Sequence, residues 1–135
     1  MTDSDTRAVE RLLSDFAWNA DQGDGDGLGA LFAPEATLIV GGKQLTGRAA
    51  IAADCHRRAS QPGRKVRHIW SNLRLEGDAA RGLSATAVQM TFEQMDGQQG
   101  TCLRINDLFD TYVRDAEGRL RFASREIRRE MSLDL

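Results

Sequence analysis

Residues 65–130 read KVRHIWSNLRLEGDAARGLSATAVQMTFEQMDGQQGTCLRINDLFDTYVRDAEGRLRFASREIRRE, and the pattern of this stretch decides the fold. It divides into extended segments at 65–77, 79–95, 101–115 and 119–130. The pairs Gly77-Asp78, Asp96-Gly97 and Glu117-Gly118 separate these segments and are typical of tight turns. The pattern predicts an antiparallel meander of four strands, long enough to favour a sheet that curls.

The half of the chain before this stretch is helical in pattern. Apolar residues recur at spacings of three and four between Val9 and Ala20, which predicts an amphipathic helix over 5–22. A glycine-rich break follows, then a short helical segment at 28–32 capped by Asp24 or Asp26. A small hairpin around Gly41-Gly42 and a third helix over 47–60 complete this half. Helices followed by a meander define an α+β fold with a pocket between the two layers.

Length and composition place limits on function. The 135 residues predict one domain, 1–135, and a formal net charge of −2 argues against a nucleic-acid binder. No apolar run is long enough to span a membrane, and the acidic start lacks the features of a signal peptide. We therefore expect a cytoplasmic protein without nucleic-acid or membrane partners.

Metal and cofactor motifs are weak. The two cysteines and two histidines form no cluster at metal-ligand spacing, and Cys55 is interpreted as a small buried apolar residue. The segment from Asp24 to Glu35 imitates a calcium loop, but Leu28 stands where that loop needs an oxygen ligand. Its glycines also fit a dinucleotide fingerprint, yet a helix precedes them where a strand is required. We expect no metal and no cofactor.

His68 is the leading candidate for catalysis. Strict alternation along the strand puts it on one face with Val66, Trp70 and Asn72. Asp21 lies near the end of the first helix, off its apolar stripe, and meets His68 if that helix crosses the mouth of the curled sheet. A carboxylate on one imidazole nitrogen leaves the other as a general base.

A basic cluster extends from the third helix into the first long strand. Its members are Arg57, Arg58, Arg64, Lys65 and Arg67. A solvated face explains such a cluster most simply, and the alternative is a collar that attracts an anionic ligand.

Several short motifs carry a family resemblance over about 5–130. They are Ala-x-Gln-Gly-Asp at 20–24, Leu-Phe-Ala-Pro-Glu-Ala at 31–36, Leu-Thr-Gly-Arg-Ala-Ala-Ile at 45–51, Arg-His-x-x-x-Asn at 67–72, and Asp-Thr-Tyr-Val-Arg with Arg-Phe-Ala-Ser-Arg at 110–125. With these motifs the chain resembles a SnoaL-like member of the NTF2-like superfamily. The resemblance implies a cone-shaped α+β fold with a deep pocket, and a homodimer.

The resemblance also assigns residue roles. Members with a His–Asp pair include dehydratases and a dehydrochlorinase, which implies that Asp21 and His68 are the pair here. Arg125 matches an arginine that assists the leaving group, although Asp110 on the neighbouring strand is an alternative, structural partner for it. Phe16 stands near the position of a lysine or tyrosine in those enzymes.

The pocket lining is predicted from strand alternation. The expected substrate-binding residues are Phe16, Trp18, Val66, Trp70, Thr86, Val88, Met90, Asn106 and Leu108. The sequence is compatible with a Tyr112 side chain that faces either the pocket or the solvent. This set predicts a mostly apolar pocket for a small hydrophobic ring compound.

The function favoured by these features is a cofactor-independent lyase or isomerase. His68 would abstract a carbon-bound proton, Asp21 would orient it, and Arg125 or Asn106 would stabilise the developing charge. The alternatives are a non-catalytic binding module that uses the same cavity and a subunit of a larger assembly.

Overall fold

The computed structural model describes residues 1–78 and 80–135. Its elements are α1 (Asp3–Gln22), α2 (Gly25–Gly29), β1 (Phe32–Val40), β2 (Lys43–Thr46), α3 (Arg48–Ala59), β3 (Lys65–Asp78), β4 (Gly82–Gln94), β5 (Cys102–Arg114) and β6 (Leu120–Asp134). Ala79, where the sequence pattern begins the second long strand, lies outside the described residues. The predicted α+β fold is confirmed.

The described strands form one sheet in the order β2-β1-β6-β5-β4-β3. The four long strands make the predicted antiparallel meander, with β4 between β3 and β5. Strand β1 pairs in parallel with β6, so the sheet is mixed. This pairing attaches the first half of the chain to its last strand.

Specific capping residues fix both ends of helix α1. The Thr2 hydroxyl accepts a hydrogen bond from the backbone N–H of Asp5, and the Asp5 carboxylate accepts one from the backbone N–H of Thr2. Gly23 ends the helix with a φ of 71°, a left-handed conformation that glycine adopts without strain. The apolar stripe of α1 faces β3 and β6.

Helix α2 is short because its sequence is glycine-rich. The Asp24 carboxylate caps it by accepting the backbone N–H of Gly27 at 2.9 Å, so of the two predicted caps Asp24 is the one used. The predicted helical segment at 28–32 is wrong beyond Gly29, because α2 ends there and Phe32 already begins β1. A Cβ at Gly25 would lie 2.5 Å from the Ala52 carbonyl oxygen, so this glycine permits α2 to approach α3 closely.

The core lies between the helices and the inner face of the sheet. Its aromatic centre is formed by Phe16, Phe32, Phe122 and Tyr112, and the ring centroids of Phe32 and Phe122 are 4.9 Å apart. None of the described helices is long and apolar enough to cross a bilayer.

A β-bulge at Asn72 interrupts the alternation of β3. Ser71 lies opposite Val88 and Arg74 opposite Thr86, so β3 contains one extra residue at this point. Asn72 has a φ of 58° and is exposed. The prediction that Asn72 shares the inner face with His68 is wrong, because the bulge shifts the face and turns Leu73 and Leu75 toward the core.

The bulge generates a stability prediction. Replacement of Asn72 by valine forces a β-branched residue into the left-handed region and should reduce the free energy of unfolding by about 1–2 kcal/mol. Asn72→Gly is the matched control and should change it little, because glycine adopts this conformation freely. Urea unfolding of both variants tests this, and equal stability of the two would contradict the prediction.

Candidate active site

Asp21 and His68 meet where the last turn of α1 crosses β3. Asp21 Oδ1 lies 2.7 Å from His68 Nδ1, and it also accepts the backbone N–H of His68 at 3.0 Å. Both side chains are largely buried, with 9% of Asp21 and 13% of His68 exposed. The structure therefore brings together the two residues that the sequence pattern pairs.

The contact with Asp21 determines which nitrogen of His68 is available. An ionised carboxylate only accepts hydrogen bonds, so in the neutral ring the proton resides on Nδ1 and Nε2 carries the lone pair. Nε2 makes no hydrogen bond to any described residue, and His68 lines two adjoining cavities. This geometry can present a general base to a bound molecule.

The two cavities differ in size and polarity. The larger has a volume of about 520 Å³, and its lining is polar and basic. The smaller, about 70 Å³, is mainly apolar and is lined by Phe16, Leu28, Leu38 and Ile51 among others. His68, Arg58, Arg64, Val40 and Ile127 line both. His68 therefore lies between a larger cavity with a polar lining and a smaller one that is mainly apolar.

Three polar side chains, Gln89, Thr91 and Asn106, lie side by side on β4 and β5 and line the larger cavity; we call them its polar floor. Gln89, Thr91 and Asn106 are buried as residues but line the cavity, and their side chains make no hydrogen bond to another described residue. Gln89 lies directly opposite Asn106 across β4 and β5, and Thr91 lies opposite Arg104. These side chains can therefore hydrogen-bond to water or to polar groups of a ligand in the cavity.

Glu93 joins two arginines in the cavity wall. Its carboxylate accepts Arg64 Nε at 2.7 Å and Arg104 Nη2 at 2.9 Å. Burial by itself raises the pKa of Glu93, but the hydrogen bonds and charges of the two arginines outweigh it and hold the pKa below its ordinary value. Glu93 therefore stays ionised and fixes both guanidinium groups.

Arg125 forms a buried ion pair with Asp110 in the core. Its Nε and Nη2 donate to the two Asp110 oxygens at 2.9 and 3.3 Å, and its Cζ lies 4.3 Å from the ring centroid of Phe16. Only 1% of the side chain is exposed, and Arg125 lines neither cavity beside His68. Its Nη1 is buried without a partner among the described residues.

Tyr112 belongs to the same buried group. Its hydroxyl donates to Asp110 Oδ2 at 3.1 Å, so it faces neither the cavity beside His68 nor solvent. Burial and the adjacent Asp110 raise the pKa of Tyr112 well above its ordinary value. The phenol thus remains neutral and serves as a donor.

Of the predicted lining residues, Phe16 lines the smaller cavity and Asn106 the larger. Leu108 is fully buried in the core beneath them. Trp18 is 65% exposed, and with Trp70 it lines a shallow surface depression that reaches Asp21 and His68 from outside the two cavities. Val66 is buried but lines a separate depression, away from His68.

The predicted lining by Thr86, Val88 and Met90 is wrong. The buried face of β4 carries Leu83, Ala85, Ala87, Gln89 and Thr91, so these three residues lie on the outer face of the sheet. The reason is that the outer face of this sheet is apolar as well, so hydrophobicity alone does not distinguish the faces of β4. The pairing of Gln89 with Asn106 across the hairpin is the signal that distinguishes them.

Several cavity residues lie outside the predicted set. Gln89 and Thr91 lie on the inner face of β4. Arg128 and Arg129 lie on β6, beyond a shift in its register with β5. Arg58 and Arg64 belong to the basic cluster that the sequence pattern interprets as a solvated face. Among the described residues, no group of three or more metal-ligating side chains is close enough to hold an ion.

Comparison with known families identifies the class. Residues 2–126 match the family model described as a SnoaL-like domain, so the chain belongs to the SnoaL-like family of the NTF2-like superfamily. No curated protein sequence matches the chain significantly.

Solved structures share the fold over nearly the whole chain. A protein from Novosphingobium aromaticivorans assigned as a scytalone dehydratase is 22% identical with a TM-score of 0.86, covering 98% of this chain and 88% of that one. A hexachlorocyclohexane dehydrochlorinase, LinA Type2, is 19% identical with a TM-score of 0.84, covering 98% and 89%. A protein from Catenulispora acidiphila in complex with S-DNPA is 21% identical with a TM-score of 0.79, covering 93% and 95%.

The arrangement around Glu93 predicts a pH-dependent contribution to stability. Because folding lowers the pKa of Glu93, its contribution is complete above the ordinary glutamate pKa and is lost as the pH falls through the folded value. Glu93→Gln should reduce the free energy of unfolding by about 1–3 kcal/mol at neutral pH. This difference from the wild type should shrink as the pH falls below about 4.5.

Urea unfolding at several pH values tests this prediction. Glu76→Gln is the control, because Glu76 pairs with Arg74 on the surface, where both side chains are well exposed. A Glu93→Gln effect that is independent of pH, or no larger than that of the control, would contradict it.

Proposed function

We propose that this protein is a cofactor-independent lyase or isomerase of the dehydratase type, acting on a small organic molecule. The observation that carries the proposal is the 2.7 Å contact between His68 Nδ1 and Asp21 Oδ1, which leaves Nε2 free at the wall of two cavities. A base held in one tautomer at the wall of a cavity can remove a carbon-bound proton from a molecule bound there.

The reaction requires two proton transfers. His68 Nε2 takes the carbon-bound proton, and the electron pair of that bond forms a double bond or an enolate. In a dehydration the C–O bond to the adjacent hydroxyl breaks, and the imidazolium returns its proton to that oxygen, which leaves as water. In an isomerisation the same proton returns to another carbon. Asp21 stabilises the imidazolium between the two transfers.

We assign to Asn106 the stabilisation of the negative charge that develops on the reacting molecule. Its side chain lines the same cavity as His68 and has amide donors without partners among the described residues. Arg125, the other candidate for this role, is held by Asp110 and stacks against the Phe16 ring. We assign Arg125 to positioning that ring at the end of the smaller cavity.

The structural neighbours support a reaction of this type. They include proteins assigned as a dehydratase and a dehydrochlorinase, both of which eliminate a group from a small molecule, and a third neighbour holds a small ligand. Phe16 replaces the lysine or tyrosine expected near its position in such enzymes, so the proton for the leaving group must come from elsewhere. The imidazolium of His68 is the group placed to supply it.

Turnover tests the roles of His68 and Asp21. Wild-type protein is incubated in D₂O with enolisable ketones, β-hydroxy carbonyl compounds and halogenated rings, and NMR follows deuterium incorporation and elimination. His68→Ala should lose activity on the order of 10²–10⁴-fold, and Asp21→Asn should also be severely impaired. His56→Ala is the control, because His56 is half-exposed on the surface beside Asp26.

Circular dichroism and thermal unfolding establish that each variant is folded. Undiminished turnover in folded His68→Ala would contradict the assignment of the base. Saturable binding without any turnover in the wild type would instead support the non-catalytic binding module.

We further propose that the protein is a homodimer through the outer face of the sheet. Ile69, Met90, Ile105 and Met131 lie directly opposite one another across β3, β4, β5 and β6 and form a continuous apolar row. Ile69 and Met131 are 48% and 54% exposed in the isolated chain. A second copy that covers this row would remove it from water.

Sedimentation velocity tests the dimer. The wild type should sediment with about twice the chain mass of 14.9 kDa, and Ile105→Lys should sediment as a monomer because it buries a charge at the centre of the row. Val113→Lys, at an exposed position on the same strand outside the row, is the control. A monomeric wild type or a dimeric Ile105→Lys protein would contradict the proposal.

A further inference from the structure

The larger cavity carries an excess of positive charge. Its lining includes Arg58, Arg64, Arg104, Arg128 and Arg129 but only two carboxylates, Glu126 and Glu130. The chain as a whole has a formal net charge of −2, so this excess is local to the cavity. Clefts lined by one sign of charge concentrate ligands of the opposite sign.

The nearby carboxylates do not remove the excess, because arginines share them in pairs. Glu93 is shared by Arg64 and Arg104, and each of them donates a single hydrogen bond to it. Each pair of guanidinium groups with one carboxylate retains one net positive charge. The remaining N–H groups of Arg64 and Arg104 donate to no other described residue apart from these bonds.

Asp54 is shared in the same way. Its two oxygens accept Arg57 Nη2 at 2.6 Å and Arg58 Nε at 2.8 Å. Arg58 lines both cavities. By contrast, Arg128 is balanced by Glu126, to which it donates two hydrogen bonds.

Arg64 is placed differently from the arginines of a solvated face, whereas Arg129 is exposed to solvent. The Arg64 side chain is only 9% exposed and lies beside His68 in the wall of both cavities. Arg129 lies opposite Asn106 and makes no ion pair with any described residue. Arginines on a solvated face are usually exposed, and no buried carboxylate fixes their position.

We propose that the larger cavity binds a small organic carboxylate, with the anionic group held by Arg64, Arg104 and Arg129 and the apolar part directed past His68 toward the smaller cavity. The claim that this carboxylate is the substrate rests on the proposed function. Guanidinium groups suit carboxylates because they offer parallel N–H donors. The polar floor of Gln89, Thr91 and Asn106 accommodates further oxygen atoms of the ligand.

The smaller cavity limits the apolar part of this ligand. Its volume of about 70 Å³ is roughly half of a cavity that holds benzene, so it admits a short alkyl group or one edge of a ring. The substrate class is therefore a compact carboxylic acid. A neutral, wholly hydrophobic ring compound would leave the net positive charge of the cavity uncompensated and would offer no hydrogen bonds to Gln89, Thr91 and Asn106.

Matched probes test the proposal. Cyclohexanecarboxylate and cyclohexanecarboxamide have the same ring and similar shape but differ in charge, and their dissociation constants are measured by ligand-detected NMR. The carboxylate should bind about 10- to 100-fold more tightly, and its advantage should decrease as salt is added. Arg104→Gln and Arg129→Gln should each reduce that advantage, and Arg129→Gln removes no internal ion pair.

The control is Arg74→Gln, which changes an exposed arginine on the outer face of the sheet and should leave both affinities unchanged. Equal binding of the two probes, or tighter binding of the amide, would overturn the proposed carboxylate site. In that case, deuterium exchange on neutral ketones that depends on His68 would still support the proposed function. Arginine-dependent carboxylate binding without His68-dependent turnover of any hydroxy or oxo carboxylate would support the anion site and overturn the proposed function.

Discussion

The carboxylate of Asp21 is the group on which the candidate site depends. It accepts both the backbone N–H of His68 and the ring Nδ1–H, so one side chain joins α1 to β3 and orients the base. The position of the helix and the tautomer of the imidazole are therefore coupled. Gly23 ends the helix two residues later, which places Asp21 in the last turn, at the edge of the sheet. A change in the length of α1 would displace Asp21 and so remove the contact that orients His68.

The inner face of β5 changes character along its length. Tyr112 and Asp110 belong to the buried ion pair with Arg125, Leu108 is in the apolar core, and Asn106 and Arg104 reach the larger cavity. Each is on the same face because strand residues alternate. Along this face the environment therefore changes from a buried ion pair and an apolar core to a cavity with polar and basic walls. His68 lies where these two environments meet.

Local features of the fold could be predicted from the sequence, and nonlocal ones could not. The periodicity of 5–22 and the Gly-containing turns specify α1 and the meander, because helix and hairpin signals depend on neighbouring residues. The bulge at Asn72 and the parallel pairing of β1 with β6 depend on distant partners. The wrong face of β4 has a specific cause: the apolar row through Met90 gives the outer face the hydrophobic character expected of a pocket. Asp21 and His68 were paired correctly because their chemistry, rather than their hydrophobicity, singles them out.

The position of β6 has a consequence for how the chain acquires its fold. This strand is the last of the described strands in chain order, yet it lies in the interior of the sheet between β1 and β5. The β1–β2 hairpin and the β3–β5 meander therefore cannot join into one sheet until β6 has been made. Before β6 pairs with both parts, β1 and β5 each present an open strand edge, and such edges favour aggregation. Completion of the sheet and of the cavity wall thus depends on β6, which joins the two parts of the sheet.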